Sequence, residues 1–200
     1  MEEGLLIGGS CGTAVAAALE VARECTPDDL VVVLVPDSGR LYLSKVFNDE
    51  WLAGYGLLTT SDGPVVADVV AARHSSVPDL VYVQPEDTAR HAASVMDDYG
   101  VPQLPVAKGE MPLAAAEVMG SVSELRLMDL AFDAEAVLDK SVEDIMGPPL
   151  PTIGSGQPLA LAVEMLDSAA ALLVLDGGRP RAVISRTDLL SFLSQGQPRS

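Results

Sequence analysis

The sequence predicts an α/β chain: one βαβ stretch at its start, then a tandem pair of βαββα repeats. Three observations carry that reading. Leu30 to Val35 (LVVVLV) is a continuous apolar run of strand length, the pattern of a parallel strand covered on both faces. Val66-Ala67-Asp68-Val69-Val70 is echoed by Val142-Glu143-Asp144-Ile145-Met146. Behind each of these strings comes the same order of elements: a Pro-bearing extended segment, a helix, a strand hairpin and a second helix.

Gly4 to Gly8 reads as a short strand, Gly9-Ser10-Cys11-Gly12 as a tight turn, and Ala-rich Thr13 to Arg23 as a helix stopped by Thr26-Pro27-Asp28-Asp29. With Leu30 to Val35 this makes one βαβ unit, whose crossover should be right-handed. One such unit cannot close a core, so the sequence reads as if it starts inside a domain. Gly54 to Pro64 (GYGLLTTSDGP) reads as a linker.

In the repeats, the first helices are predicted over Thr88 to Asp98 and Pro158 to Asp167. Apolar residues fall at Ala89, Ala92, Ala93 and Met96 in one, and at Leu159, Ala162, Val163 and Leu166 in the other; both follow the i, i+3, i+4, i+7 spacing of a buried helix face. The hairpin strands are predicted at Gln103 to Ala107 and Val118 to Ser123, and at Ala171 to Leu175 and Ala182 to Ser185. The closing helices are predicted at Leu125 to Ala131 and Thr187 to Leu193. Each half alone buries too little, so the two should pair into one pseudo-symmetric body. The implied domains are 1–62, 63–135 and 136–200.

Composition narrows the function. Of 200 residues, 48% are hydrophobic and only 4% aromatic, so the core must be built from Val, Leu, Ala and Met. The net charge is −17, and acidic residues outnumber basic ones on both sides of residue 62. That argues against a nucleic-acid surface and against an anionic membrane. Two cysteines, Cys11 and Cys25, exclude a disulfide scaffold and a Cys-rich zinc site, and no metal-ligand spacing is visible. Met1-Glu2-Glu3 is not the basic start of a signal peptide, and the longest uncharged stretch, Ile145 to Val163, is broken by Pro and Gly. A cytoplasmic location is the expectation.

The strings GLLIGGSCGTAVAAAL and VVVLVPDSGRLYLSKVFNDEWL, in that order, resemble the C-terminal part of the catalytic domain of cystathionine beta-synthases, pyridoxal-phosphate enzymes of fold type II. The resemblance covers residues 1 to about 57. It implies that Ser10, in the GGS turn, hydrogen-bonds the pyridine nitrogen of pyridoxal phosphate in the complete enzyme, and that Pro36-Asp37-Ser38 lies where the cofactor pocket closes. A neutral hydroxyl there suits elimination and replacement at a β-carbon. The Schiff-base lysine of that family lies upstream of what this sequence matches. Lys45, the sole lysine of this section, falls where the family has no aldimine. No catalytic residue is therefore assigned, and this chain by itself is expected not to catalyse.

Residues 65 to about 195 are similar to a tandem CBS-domain (Bateman) pair, the module that follows the catalytic domain in cystathionine beta-synthases. The resemblance implies an adenosyl ligand in a cleft between the copies. Its most telling motif is a Ser or Thr followed three residues later by Asp, where the last strand meets the last helix. An aspartate can take both hydroxyls of a ribose, and a hydroxyl beside it adds a polar contact. The second copy has Ser185-Arg186-Thr187-Asp188. The first has Ser123-Glu124-Leu125-Arg126, where a cation replaces the acceptor. One competent site, governed by Asp188, is expected. By resemblance its other walls are Pro78, Leu80, Val101, Pro102, Gln103, Leu104 and Val183, and the aromatic that the family often has near Val101 for stacking is expected to be absent.

The resemblance favours S-adenosylmethionine, and the acidity of the chain suits that cation. AMP and ATP stay open, because Arg126 and Arg186 could meet phosphates. Trp51 reads as a packing anchor, His91 as a surface helix residue, His74 as a loop residue and Cys11 as a buried inert thiol. The leading expectation is the C-terminal portion of a cystathionine beta-synthase-like enzyme, which in full joins L-serine to homocysteine, with an adenosyl-sensing CBS pair that forms a homodimer. A stand-alone adenine-nucleotide-binding pair, or a pair that only dimerises, remain alternatives.

Overall fold

A computed structural model describes residues 4–61, 63–73, 78, 80–133 and 135–194. The chain divides into two compact units, Met1–Leu52 and Ala53–Ser200. His74 lies outside the described residues.

In the first unit α1 spans Gly9–Ala22. Its N-terminal turn is tied to the Pro36-Asp37-Ser38 turn. The Gly8 N–H donates to the Asp37 carbonyl at 3.0 Å and the Gly39 N–H to the Leu6 carbonyl at 3.1 Å, and Ile7 bridges Ser38 in the antiparallel sense. Cys11 is buried against the same turn and accepts from the Asp37 N–H at 3.3 Å. A side chain at Gly8 would overlap the Asp37 carboxylate. The two resembling strings are thus neighbours in space.

The parallel strands expected at Gly4 to Gly8 and Leu30 to Val35 do not form. Leu30, Val32 and Leu34 are each at least 80% exposed. The reason is physical: a strand is held by ladder partners on neighbouring strands, and among the described residues nothing pairs with this run. Its apolar side chains therefore remain on the surface.

The second unit holds the repeats, and here the elements fall where the periodicity puts them. The first copy runs α3 (Val66–Ala71), α4 (Ala89–Tyr99), β1 (Gln103–Ala107), β2 (Val118–Ser123) and α5 (Glu124–Asp133). The second runs α6 (Val142–Ile145), β3 (Thr152–Gly154), α7 (Leu159–Ser168), β4 (Ala171–Asp176), β5 (Arg179–Ser185) and α8 (Arg186–Ser194). In the second copy β3 pairs parallel with β4, and β4 antiparallel with β5. The first copy matches it with the β1–β2 hairpin and one parallel bridge from Val83 to Val106. Local chemistry sets the helix ends. Thr88 Oγ1 accepts from the His91 N–H at 3.1 Å as an N-cap, and Gly100, at φ +62°, closes α4 in the left-handed conformation that glycine takes without strain.

The copies are joined by an exchange of their short helices. Val66 and Val69 of α3 are fully buried in the core of the second copy, among Ile153, Leu166, Leu172 and Ile184. Val142 and Ile145 of α6 are buried in the core of the first, among Ala92, Leu104, Val106 and Val122. Matching bridges, Val65 to Pro158 and Thr88 to Ser141, lock each exchanged helix in place. A third core lies between the sheets. Strand β4 shows why its sequence is apolar throughout: Leu172 and Val174 face the helices of their own copy, while Ala171, Leu173 and Leu175 face the third core with Ala107 and Leu113. Fully burying each such Leu or Val stabilises by roughly 1.5–3 kcal/mol.

Two sequence expectations need refinement. Val163, placed in the apolar stripe of α7, is 47% exposed, while Leu159, Ala162 and Leu166 are buried. The segment read as a linker is laid onto the second copy. The Gly177 N–H donates to the Gly56 carbonyl, the Gly178 N–H to the Tyr55 carbonyl and the Thr60 N–H to the Gly156 carbonyl. A methyl group at Gly154 would overlap the Ala53 carbonyl.

Candidate functional site

The exchange of α3 creates a crevice walled by both copies, with a volume of about 740 Å³, within the range of small-molecule sites. The first copy contributes the end of α3, then Pro78 and Val81, then the entry to β1 at Val101, Pro102 and Gln103. The second contributes Val183 and Ser185 from the end of β5, and Thr187 and Asp188 from the first turn of α8. The side chain of Asp188 is 25% exposed, set in the wall rather than out in bulk solvent.

Asp188 has two jobs in this arrangement. Its Oδ2 accepts from the Ser185 N–H and the Ser185 hydroxyl, each at 2.7 Å. That is one half of a capping box, in which the residue three positions in reaches back to the cap. The same Oδ2 lies 2.9 Å from Arg73 Nη2. Among the described residues no hydrogen bond is made to Oδ1, and Asp188 lines the crevice. The helix-cap role and a site role therefore coexist in one carboxylate.

Arg73 leaves the C-terminal end of α3. Besides pairing with Asp188, its Nη2 donates to the Val183 carbonyl. Its Nε is buried without a partner among the described residues. Arg186 is held differently. Its Nε donates to the Leu166 carbonyl at 2.7 Å, and its Nη2 reaches the Asp167 and Ala169 carbonyls. A cation on the last carbonyls of α7 suits the negative end of a helix, and this side chain also lines the crevice.

The corresponding corner of the first copy is built otherwise. Ser123 Oγ accepts from the Arg126 N–H at 3.2 Å, and Arg126 stands where the second copy has Asp188. Two residues earlier, Ser121 forms a two-way backbone bridge with Gly147, and its hydroxyl donates to the Pro148 carbonyl at 2.8 Å. Backbone takes the place that the Arg73 side chain takes beside Val183.

Of the walls expected from sequence, Leu80 and Leu104 are not in the crevice. Leu104 is fully buried in the first copy's core, because side chains alternate along β1 and it is Gln103 that faces the crevice. Leu80 packs on the third core, and Val81 faces the crevice instead. Sequence reasoning missed Arg73, which no motif contains, and Tyr99, which lines the crevice two residues before Val101 and supplies the aromatic thought absent. The place of Arg73 in the chain is two residues past the end of the exchanged helix.

Comparison with known proteins agrees with this architecture. The CBS-domain family model matches residues 66–130 and 142–195, more than half of the chain. The chain belongs to the CBS-domain family. Among solved structures, a signal-transduction protein with CBS domains from Burkholderia ambifaria superposes with a TM-score of 0.56 at 24% identity, over 68% of this chain and 98% of that one. CBSX2 in complex with AMP superposes at 0.52 and 22% identity, over 66% and 98%. These likenesses establish the fold of the CBS pair. Among curated proteins, cystathionine beta-synthase of Dictyostelium discoideum is 26% identical over the whole chain and 41% of its own length. The enzyme of Oryctolagus cuniculus is 47% identical over 57 residues, 28% of this chain and 10% of its own. The chain thus spans about two fifths of the Dictyostelium relative.

The unit ahead of the CBS pair does not by itself make a pyridoxal-phosphate site. Ser10 is exposed on the first turn of α1, and Lys45 is exposed as well. A cofactor ring needs covered walls and an aldimine lysine, and Ser10 and Lys45 offer an exposed hydroxyl and a surface amine. No catalytic step is assigned to them. Among the described residues no helix is long and apolar enough to cross a membrane, and no His, Cys, Asp and Glu cluster could hold a metal.

Proposed function

We propose that the crevice binds an adenosyl ligand, S-adenosylmethionine, AMP or ATP, and that the chain is the ligand-sensing portion of a cytoplasmic cystathionine beta-synthase-like enzyme. One observation carries the reading: Asp188 stands in a wall shared by both copies, and its hydrogen bonds and ion pair among the described residues all fall on Oδ2. A ribose diol there meets a fixed carboxylate beside the Ser185 and Thr187 hydroxyls, with the apolar surfaces of Val101, Pro102 and Val183 for the base. The AMP held by CBSX2, a protein of the same fold, supports the ligand class. The whole-chain similarity to cystathionine beta-synthases supports the context. The reaction of the complete enzyme, L-serine with homocysteine on pyridoxal phosphate, with Ser10 toward the pyridine nitrogen, belongs to the same proposal. Ligand binding regulates only if its affinity differs between two states of that enzyme.

Thermal denaturation of the chain with each of the three ligands tests this. A ligand at one hundred times its dissociation constant adds about 2.7 kcal/mol of stability, and Asp188→Ala should abolish the shift. A shift that survives in that variant overturns the ribose assignment. No shift with any of the three favours a second reading, a module that only dimerises. A specific observation speaks for dimerisation: the closing helices leave Leu125, Met128, Phe132 and Leu190 more than half exposed.

A further inference from the structure

Arg73 is the feature of the crevice that the ribose reading leaves unexplained. Asp188 Oδ2 already takes three donors: the Ser185 N–H, the Ser185 hydroxyl and Arg73 Nη2. A diol gripped in bidentate fashion needs both carboxylate oxygens. With Arg73 in place only Oδ1 is open, so full engagement of a ribose requires the guanidinium to leave.

We propose that Arg73 is a removable lock on Asp188 and the residue that selects an anionic ligand. In the unliganded crevice it neutralises the carboxylate. When a phosphate-bearing nucleoside enters, Arg73 turns from Asp188 to the phosphate, and a diol hydroxyl takes its place on Oδ2 beside the two donors of Ser185. This inference rests on the ribose reading given above.

Three observations support it. First, among the described residues the charged side chains on the crevice walls are Arg73, Arg186 and Asp188. That is two guanidiniums to one carboxylate, in a chain whose net charge is −17. The local sign is opposite to the global one, and it favours a phosphate over a sulfonium. Second, the two arginines are held unequally. Arg186 is fastened through Nε and Nη2 to three carbonyls, whereas Arg73 engages through Nη2 alone and its buried Nε has no partner among the described residues. An unsatisfied buried donor makes its present position the less settled one. Third, the side chains of Arg73 and Asp188 are 31% and 25% exposed, so water screens their attraction and a dianionic phosphate can compete for the guanidinium. A nucleoside without phosphate would part the pair and leave Arg73 unpaired, which costs affinity.

The test is calorimetric titration of the full chain and of Arg73→Gln with AMP, adenosine and S-adenosylmethionine. For the unaltered chain, AMP should bind about tenfold or more tighter than adenosine, and tighter than S-adenosylmethionine. In Arg73→Gln the AMP-to-adenosine ratio should collapse to roughly threefold or less, with adenosine binding more tightly than before. If Arg73→Gln does not fold, Arg73→Lys decides, since an ammonium cannot reproduce the fork of a guanidinium: a reduced ratio supports the lock and an unchanged one overturns it. A ratio unchanged in Arg73→Gln, or S-adenosylmethionine preferred by the unaltered chain, overturns the lock while leaving the ribose reading intact. Absence of binding by all three ligands to both proteins overturns the ribose reading, and the lock with it.

Discussion

Arg73 of the first repeat lies 2.9 Å from Asp188 of the second, Nη2 to Oδ2. The pair spans the two copies because α3, just ahead of Arg73, is buried in the partner copy's core. The salt link therefore reports directly on how the repeats are docked.

A double-mutant cycle on Arg73→Gln and Asp188→Asn should give a coupling of about 1 kcal/mol in unfolding free energy, the scale of a partly screened pair. Added salt should diminish it. A coupling indistinguishable from zero at low salt would show that the pair does not hold the copies together.

The exchange of helices makes a prediction about where damage appears. Val66→Ala should cost about 2 kcal/mol or more, since it removes two methyl groups from a packed core. The loss of amide protection should fall on β3, β4, β5 and α8, which are far along the chain from Val66. Val142→Ala should do the converse and loosen β1, β2 and α4. Hydrogen exchange followed residue by residue distinguishes this from damage confined to each residue's own copy.

Gly154 tests the docking of the segment 53–60. A methyl at this position would meet the Ala53 carbonyl backbone, which cannot yield as a flexible side chain would. Gly154→Ala should destabilise by roughly 1–3 kcal/mol, in the range of overpacking, as measured by urea unfolding. Gly63→Ala, whose neighbour is only the Ser61 hydroxyl at 3.5 Å, should be close to neutral.

Tyr42 provides a test in the first unit. Its hydroxyl donates to Asp37 Oδ2 at 2.8 Å. This hydrogen bond, and next the carboxylate charge beside it, raise the phenol above its ordinary value of 10.0. The folded state holds this proton more tightly than the unfolded state. The associated stability is therefore present in full below the unfolded value and is lost as pH rises through the folded one. Ultraviolet titration should show a late-ionising tyrosine that disappears in Tyr42→Phe. A titration curve unchanged by Tyr42→Phe would contradict the Tyr42–Asp37 contact.

The repeats were legible in the sequence because their elements are fixed locally. The stripe Ala89, Ala92, Ala93 and Met96 could be buried only by a helix, and QLPVA and VMGSVS have the length and turn-bounded setting of strands. The partners of those elements were not legible. Nothing in VADVV says that its helix packs into the other copy, so Arg73 could not be placed beside Asp188. A register along β1 is also a tertiary fact, which is why Gln103 and Leu104 were assigned to the same wall although neighbours on a strand face opposite ways. LVVVLV failed for the converse reason: its apolar run states what a strand would bury, but a strand exists only where a ladder partner does.

The most direct measurement is a crystal structure of the chain with AMP. This account predicts the nucleotide in the crevice between the repeats, its two ribose hydroxyls within hydrogen-bond distance of the Asp188 carboxylate. AMP bound elsewhere, or bound in the crevice with its ribose turned away from Asp188, would contradict it.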